Sequence, residues 1–440
     1  MPVLARSPAP RSRSARSGRS RWGRASSAPA TSGGGSAVSG PLSGITVIEA
    51  ANWLAAPSAG ALMADLGADV VKVEPPGGDP FRAYDQRASG YDHDFALNYA
   101  FELDNRGKRS ISIDLTKEGG PGLVRRLCER ADVFLTNLTQ PRREHYELTE
   151  EALRAVRPSI IYASLTGYGT RGPDAERAGF DYSAFWARSG VMAALQQPPG
   201  SPPPLNRPGQ GDHMTSVNLL AAVLAALRLR DRSGEGQYVE VTLHGSGMWT
   251  VGTDFSAALV SGQAAPRHDR EEPPNPIWNS YQTKDGRWIV LVMLQPDRYW
   301  DRFCAAIDRP DLASDGRSAA ERFAEEGREL AATISEAFAE HDLAHWSGRL
   351  DEHGVIWAPA AELPEVIADP QVREFGWIRE VEHPEAGTYQ TLGTPFQIRA
   401  ADLGPRGPAP AAGQHTLEVL RDFGIEEDEQ ARLAQRGVFG

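Results

Sequence analysis

Between residues 45 and 243, short apolar runs alternate with longer segments whose apolar positions recur at helical spacing. The apolar runs have four to six residues, which is typical of buried strands. They cover residues 45–49, 69–73, 110–115, 133–136, 160–165 and 238–243. Segments with helical periodicity separate most of them, at residues 57–66, 122–128, 149–156 and 212–230. This order of strands and helices predicts an α/β fold with a parallel sheet covered by helices on both faces.

Residues at the ends of these segments support the predicted helices. Pro57 stands at the first position of one helix, where its missing N–H costs nothing, and Gly67 follows that helix as a stop signal. Thr149 is a candidate cap, but Ala152 occupies the place of the usual acid three residues later. We therefore expect only a partial capping box at that helix.

The pattern changes near residue 265. Residues 265–276 are rich in charge and proline, as expected of a linker, and residues 281–292 predict a hairpin with its turn at Lys284–Gly286. Helices are predicted from about Pro296, Ala319 and Leu343. These elements indicate a second, smaller α+β domain, after which a Pro/Gly-rich stretch at residues 404–413 leads into two terminal helices.

Composition excludes several classes of protein. The chain has 440 residues, 40% of them hydrophobic, which is enough for a sizeable core, and its net charge of −12 argues against broad nucleic-acid binding. Its two cysteines cannot form a disulfide scaffold, and neither a CxxC nor an HExxH spacing occurs, so a cytoplasmic enzyme without a metal site is predicted. The longest nearly apolar stretch, residues 219–227, is too short to cross a membrane.

The first 40 residues differ from the rest of the chain. They contain seven arginines and no acidic residue among Ser, Ala, Pro and Gly, so they cannot bury enough apolar surface to fold alone. We predict a disordered Arg/Ser/Pro-rich tail. The composition also suits an organelle transit peptide, but it has no amphipathic period, and a misassigned start codon would explain it equally.

Two features are candidates for chemistry. Gly167, Gly169 and Gly172 match the glycine spacing of dinucleotide sites, yet they lie late in the predicted sheet and run into Pro173, which favours a simple turn. Asp212 lies between a Pro/Gly loop and the long helix, where it is either an ordinary N-cap or a nucleophile. A carboxylate can attack an acyl group that carries a good leaving group, such as a thiol.

Several blocks of sequence resemble the class III CoA-transferases, the CaiB/BaiF-type family of formyl-CoA and carnitine CoA-transferases, which also includes α-methylacyl-CoA racemase. The blocks occur in the family's order and extend the resemblance over about residues 41–440. They are residues 41–49, 67–80, 105–115, 165–169, 179–182, 211–212, 234–241, 369–373 and 413–416.

The resemblance implies a fold. It predicts a Rossmann-like large domain formed by residues 41–262 and by a returning segment, residues 371–440. The smaller α+β domain, with its linkers, would occupy residues 263–370. Family members also imply that two subunits thread through one another as an interlocked homodimer.

The resemblance also implies a reaction. The aspartate of the family's Gly-Asp block corresponds to Asp212 and would attack an acyl-CoA donor, forming a covalent acyl intermediate. A free carboxylic acid would finally accept the CoA, so coenzyme A is a substrate and no permanently bound cofactor is needed. Each step passes through an anionic tetrahedral species, which backbone N–H donors are expected to stabilise.

Family contacts to the pantetheine and adenine parts of CoA carry over to two segments. The pantetheine contact corresponds to Leu54 and Ala55, although Leu54 and Ala56 stand where family members often have Gln and Gly. Backbone contacts tolerate these replacements. The adenine contact corresponds to Ile113, Asp114, Leu115 and Thr116.

Family contacts to the CoA phosphates point to residues near 140. Asn137 matches the asparagine of the family's Glu-Asn-Phe block, and eight residues later His145 stands where an arginine often binds the phosphates. Arg142 and Arg143 are expected to replace that arginine, the alternative being a solvated surface. Further candidates for phosphate contacts are Lys72 and Arg82, with a structural ion pair as the alternative for Lys72.

Two other functions and the roles of several residues stay open at this point. In the racemase branch a histidine precedes the aspartate that corresponds to Asp181; here Phe180 stands there and cannot take a proton, which favours transfer over racemisation. Asp181 is expected to line the site or only to satisfy local hydrogen bonds. A non-catalytic CoA-binding protein is also possible because Leu54, Ala56 and His145 depart from the family pattern.

The small domain offers two further observations. Glycine runs typical of oxalate-type enzymes are missing between Ser261 and Tyr281. Three aromatic residues are expected to form either an apolar acyl pocket or the core of the small domain: Trp278, Tyr281 and Trp288.

Overall fold

A six-stranded parallel sheet organises the N-terminal half of the chain in the computed structural model, which describes residues 40–91, 97–198, 200–313 and 316–439. All but the last residue of the predicted tail lie outside the described residues. The strand order is β3-β2-β1-β4-β5-β6, which is the order of the doubly wound nucleotide-binding fold. The predicted α/β fold with a parallel sheet is confirmed. The strands are β1 Thr46–Ala50, β2 Asp69–Glu74, β3 Arg109–Ser112, β4 Val133–Thr136, β5 Ile161–Thr166 and β6 Gln237–Thr242.

Helices connect these strands, as parallel pairing requires. A π-helical segment at Asp181–Ala187 and two short 3₁₀ turns, Pro80–Ala83 and Gln86–Ser89, complete this region. The residues Gly167–Gly172 form turns rather than opening a helix, as predicted. The helices are α1 Ala55–Asp65, α2 Tyr99–Asn105, α3 Gly120–Cys128, α4 Gln140–His145, α5 Glu150–Val156, α6 Val191–Ala194, α7 Gln210–Ser233, α8 Leu243–Thr250 and α9 Gly252–Ser261.

A hydrophobic core lies on each face of the sheet. Helices α1 and α7 cover one face, where Val47, Leu135 and Ile161 meet Leu219 and other buried residues. The opposite face carries Ile48, Phe134 and Tyr162 and is covered by α3 and α5 together with residues near the C-terminus. Because both faces are buried, the strands read as nearly continuous apolar runs, which is why the sequence pattern located them.

The middle of the chain forms a separate core. The predicted hairpin is present, with β7 (Ser280–Gln282) antiparallel to β8 (Trp288–Leu291), and β9 (Trp357–Pro359) extends this sheet. Tyr281 is buried in this core and stacks on Phe338, which agrees with the core alternative for this residue. The helices of this region start where the sequence predicts; they are α10 Pro296–Ala306, α11 Ala319–Phe338 and α12 Leu343–Glu352, with a 3₁₀ turn at Pro310–Leu312.

Residues 363–392 contain elements that the sequence pattern did not predict. Their short segments are exposed on more than one side, so they carry neither the alternation of a half-buried strand nor an apolar helical face. Tyr389 in the second strand of the hairpin donates a hydrogen bond to Glu102 on α2, at 2.9 Å. The elements are α13 Leu363–Ala368, α14 Pro370–Phe375, β10 Ile378–His383 and β11 Gly387–Leu392.

The C-terminal segment packs against β3 of the large sheet. His415 N–H donates to the carbonyl of Ser110, and Gly413 N–H donates to the Ser110 hydroxyl at 2.8 Å. The final helices, α15 (Thr416–Asp422) and α16 (Glu427–Gln435), follow this contact. The exact domain boundaries stay a prediction.

A cluster of buried charges lies beneath the carboxyl edge of the sheet. The Lys72 ammonium contacts Glu49 at 3.0 Å and Asp79 at 2.9 Å, and Lys108 contacts the same Glu49 at 2.8 Å. All four side chains are excluded from solvent or nearly so. Although burial opposes its charge, Glu49 and then Asp79 raise the pKa of Lys72, whereas burial lowers the pKa of Lys108 to about 8. Glu49 is therefore shared between two buried ammonium groups.

Removing this shared carboxylate is expected to destabilise the protein. Glu49→Gln leaves Lys72 and Lys108 without their common counter-charge, which should lower the free energy of unfolding by about 3–5 kcal/mol. Glu418→Gln is the matched control, because Glu418 is half exposed beside Arg109, and it should cost less than about 1 kcal/mol. Urea unfolding followed by circular dichroism measures both; equal losses would contradict the role given to Glu49.

Candidate active site

A cavity of about 290 Å³ opens at the carboxyl edge of the sheet, between the loops that follow β1 and β4. The strand order reverses at this point, and doubly wound folds bind their ligands in the crevice formed there. The turn after β5 and the start of α8 also contribute. The lining residues are Asn52–Ala55, Asn137–Gln140, Arg142, Arg143, Leu165–Gly167, Ala175–Phe180, Asp212 and Leu243.

Asn52 and Asn137 hold the two principal loops together. Asn52 N–H donates to the Asn137 side-chain oxygen at 3.1 Å, and the Asn137 amide donates back to the Asn52 carbonyl at 2.7 Å. These reciprocal bonds satisfy backbone groups that the parting strands leave unpaired. Asn137 thus positions the cavity wall in addition to lining it.

Asp212 reaches the cavity from the first turn of α7. The helix begins at Gln210, two residues earlier than predicted, and its cap residue is Gly209 with φ +80°. Asp212 is therefore not the N-cap, and the interpretation of an ordinary capping residue is wrong. Among the described residues no hydrogen bond is formed by its carboxyl oxygens, so this half-buried carboxyl is available to a substrate.

Asp181 lies beside the same helix terminus. Its Oδ1 accepts a hydrogen bond from Gly211 N–H at 3.1 Å, and a Cβ on Gly211 would stand only 2.3 Å from that oxygen. Burial, followed by the negative charge of Asp181, raises the pKa of Asp212 to about 7. Burial likewise raises the pKa of Asp181 to about 6. Two neighbouring acids thus titrate near neutral pH, which is a common property of catalytic sites.

His213 adds a compensating charge next to Asp212. Its Nε2 lies 3.0 Å from Oδ1 of Asp104, a fully buried carboxylate. Although burial opposes the imidazolium, Asp104 raises the pKa of His213, and a protonated His213 in turn favours the ionised form of Asp212. Sequence analysis missed this pair because Asp104 and His213 are 109 residues apart.

Six of the predicted site residues line the cavity together. Arg143 is buried, and its Nη1 donates to the Ser164 hydroxyl at 3.0 Å, whereas Arg142 is exposed. Two cations therefore stand on the same wall, one fixed and one free to reorient. The six residues are Leu54, Ala55, Asn137, Arg142, Arg143 and Asp212.

Lys72 and Arg82 do not reach the cavity. Lys72 is enclosed by Glu49 and Asp79, and the Arg82 guanidinium makes two bonds to Glu74, at 2.6 and 2.7 Å. Arg82 also covers the ring of Phe101 at 4.1 Å. Lys72 is therefore the structural ion-pair residue that sequence analysis named as the alternative, whereas a phosphate contact by Arg82, whose side chain is 20% exposed, stays a prediction.

The remaining candidates lie around the cavity rather than in it. Asp181 is buried behind Gly211, and His145 is exposed at the end of α4, with its ring 5.0 Å from that of Tyr146. The predicted adenine segment follows β3, three strands away from β4 along the same edge of the sheet. Its outward-facing part is a turn at Asp114–Thr116, in which the Asp114 carboxylate accepts hydrogen bonds from both the N–H and the hydroxyl of Thr116. The other two residues of the segment are less accessible, since Ile113 is buried and Leu115 is half-buried.

Two aromatic residues of the wall were not predicted as site residues. Trp53 lies just after β1, next to the predicted pantetheine contact at Leu54 and Ala55. Phe180 stands before Asp181, where the racemase branch has a histidine. Sequence position could have indicated them, but only the structure brings their rings together. Across the described ranges no helix is long and apolar enough to cross a membrane, and no cluster of three metal-ligating side chains occurs there.

Comparison with known proteins identifies relatives across nearly the whole chain. The cinnamoyl-CoA:phenyllactate CoA-transferase of Clostridium sporogenes is 32% identical over 89% of this chain and 95% of its own length. The succinate–glutarate CoA-transferase of Agrobacterium fabrum is 33% identical, over 87% and 96%. The (R)-2-hydroxy-4-methylpentanoate CoA-transferase of Clostridioides difficile is 30% identical, over 88% and 96%.

A solved structure agrees with the sequence relatives. The crystal structure of a CaiB/BaiF family protein from Brucella suis is similar to this chain with a TM-score of 0.76 and 30% identity, covering 88% of this chain and all of that one. The sequence model of CoA-transferase family III matches residues 42–416, which include every strand of the large sheet and Asp212. The chain therefore belongs to CoA-transferase family III.

Proposed function

We propose that this CoA-transferase moves CoA from an acyl-CoA thioester to a free carboxylic acid through a covalent intermediate on Asp212. The observation that carries the proposal is the position of Asp212, which lines the cavity at the strand-order reversal with a carboxyl group that no described side chain engages. An available carboxylate at such a place is suited to attack a thioester, whose thiolate is a good leaving group.

The reaction would proceed in four acyl transfers. Asp212 attacks the donor thioester and expels CoA thiolate, leaving a mixed anhydride, and the thiolate then attacks the aspartyl carbonyl and releases the donor acid. The acceptor carboxylate attacks the resulting aspartyl thioester and expels CoA thiolate, leaving a second anhydride. The thiolate then attacks the acceptor's acyl carbon, which forms the new acyl-CoA and frees the Asp212 carboxylate. Retaining CoA nearby makes each return nearly unimolecular, so the thioester's energy is conserved without ATP.

CoA is expected to enter along the loops after β1 and β4. The pantetheine arm would pass Leu54 and Ala55, while Arg142 and Arg143, with exposed His145 close by in sequence, supply positive charge for the phosphates. The departures from the family pattern at Leu54 and Ala56 leave backbone groups in place. The adenine contact at residues 113–116 would require CoA to extend along the sheet edge, because this segment lies three strands from β4.

The geometry favours transfer over racemisation. A racemase requires two bases on opposite sides of an acidic Cα–H, and one of them would have to stand at position 180. Phe180 carries no titratable group, although its ring lines the same cavity as Asp212. The site therefore offers one reactive carboxyl and no second base at that position.

Removing the Asp212 carboxyl is expected to abolish transfer while leaving the fold intact. Asp212→Asn keeps the size of the side chain but cannot form the anhydride, so CoA transfer should fall about a thousandfold or more. Asp231→Asn, at the exposed far end of the same helix, is the matched control. Hydroxylamine added after an acyl-CoA donor should place a hydroxamate on residue 212, read by peptide mass spectrometry; a normal transfer rate in Asp212→Asn would reject the assignment.

Transfer is also expected to depend on the ionisation of Asp212. Because its pKa is raised to about 7 and only the carboxylate attacks, kcat/KM should rise with pH through neutrality and then level off. Asp181→Asn removes the like charge and lowers the pKa of Asp212, so the rising limb should move to lower pH. The charged groups that face Asp212 are Asp181, His213 and Asp104. Measurement from about pH 5 to 9, with Asp231→Asn as the control, tests the shift; an unmoved limb would contradict the coupling.

We further propose that two copies associate, as the family resemblance implies. Trp249 and the α9 residues Leu259 and Val260 are largely exposed, which is unusual for such apolar side chains unless another surface covers them. Light scattering at micromolar concentration should report about twice the chain mass of 47.7 kDa. A monomer that transfers CoA at full rate would argue against the assembly.

A further inference from the structure

Two large aromatic side chains face each other at the wall of the Asp212 cavity. Trp53 and Phe180 both line it, and their ring centres are 6.5 Å apart in a T-shaped arrangement. Both remain exposed, by 41% and 61% respectively. An apolar pair left uncovered beside a reactive carboxyl is a natural surface for the apolar part of a substrate.

The position of Trp53 is built into the fold. Its φ of +66° lies in the left-handed region, where a large side chain is strained, so surrounding contacts must hold it there. Its N–H donates to Asp79 Oδ1 at 3.2 Å, and the buried Lys72 ammonium fixes the other oxygen of Asp79. The ring also packs 6.1 Å from that of Phe81. The buried charge cluster thereby turns Trp53 toward the cavity.

Contacts of the residues before and after Phe180 fix the backbone at this position. Its N–H donates to the Ser183 hydroxyl at 3.0 Å. On the other side, Gly179 approaches Gly167 so closely that an added Cβ on either would lie 2.7 Å from the other's Cα. Asp181 follows Phe180 directly and bonds the start of α7. The backbone that carries the Phe180 ring is therefore held close to the start of the helix that carries Asp212.

The rest of the wall supports an apolar ligand. Leu54, Leu138, Leu165 and Leu243 also line the cavity. Its cations are arginines, of which Arg177 pairs with Asp174 and covers Tyr168. A second carboxylate on the acyl chain would have to compete with Asp174 for that guanidinium. Under the proposed function Arg142 and Arg143 bind the CoA phosphates, so the surfaces left for the acyl group are the two rings and the leucines.

We propose that Trp53 and Phe180 form the acyl-binding site and favour flat, apolar, phenyl-bearing acyl groups over dicarboxylic ones. This deepens the proposed function and rests on it, because the site is defined by its position beside Asp212. A planar ring stacks against one face of Trp53 and meets the edge of Phe180, which is the arrangement that aromatic groups prefer. A charged carboxylate at the same place would lose water without gaining a partner.

Equilibrium binding tests the proposal without requiring turnover. Calorimetry on the full-length protein would compare 3-phenylpropanoyl-CoA, succinyl-CoA and free CoA in the wild type and in Trp53→Leu and Phe180→Leu. Leucine keeps the apolar character and removes the ring. Phe375→Leu is the matched control, since Phe375 is 41% exposed in another aromatic pair, with Trp377, and does not line the cavity.

The wild type is expected to bind the phenyl compound about fivefold more tightly than succinyl-CoA. Each cavity variant should remove most of that preference and leave the affinity for free CoA unchanged, whereas Phe375→Leu should retain it. Equal affinity for both acyl-CoAs, a preference for succinyl-CoA, or equal losses for all three ligands would overturn the inference.

Transfer assays on the same proteins distinguish a failure of the acyl-site inference from a failure of the proposed function. If the wild type transfers CoA in an Asp212-dependent manner but shows no phenyl preference, the acyl-site inference fails and the proposed function stands. If the phenyl compound binds preferentially but no donor yields transfer, the proposed function fails while the aromatic site is supported.

Discussion

The contact of the Lys72 ammonium with Glu49 and Asp79 is the constraint on which the site depends. These charges are fully buried, so any lost partner would leave an ion in a medium that solvates it poorly. The contact joins β1, β2 and the loop after β2, and the same Asp79 accepts the N–H of Trp53. A stabilising ion pair thus also sets the conformation of the first cavity loop. The Asp79 carboxylate thus serves both the buried ion pair and the loop that carries Trp53.

On the Asp212 side of the cavity, repulsion between two neighbouring carboxylates outweighs the attraction of nearby cations. Asp181 and Asp212 are two acids near one helix terminus, and within the described part of the chain neither is paired with a lysine or an arginine. The positive end of the helix dipole and His213, itself held by Asp104, compensate only in part. A nucleophile that is too well stabilised as an anion would attack poorly. The balance of these charges therefore keeps the Asp212 carboxylate available yet reactive.

Much of the fold could be predicted from the sequence because both faces of the large sheet are buried. The strands from Thr46 to Thr242 and the starts of α10, α11 and α12 were located within a few residues. The hairpin β10–β11 was not predicted, because its exposed residues carry no regular alternation. In the site, Asp212 was indicated by its neighbours along the chain. Long-range pairs such as Asp104–His213 and the enclosure of Lys72 depend on packing that no local pattern encodes.

The close approaches of Gly167 to Gly179 and of Gly211 to Asp181 limit where this enzyme can change. Side chains at those glycines would displace the backbone or the acid next to Asp212. Trp53 and Phe180, in contrast, are partly exposed at the cavity wall. Exchanging either ring alters the room offered to the substrate without moving Asp212. With the proposed acyl site, selectivity would diverge at these two residues apart from Asp212, which makes this wall the practical starting point for engineering new acids as acceptors.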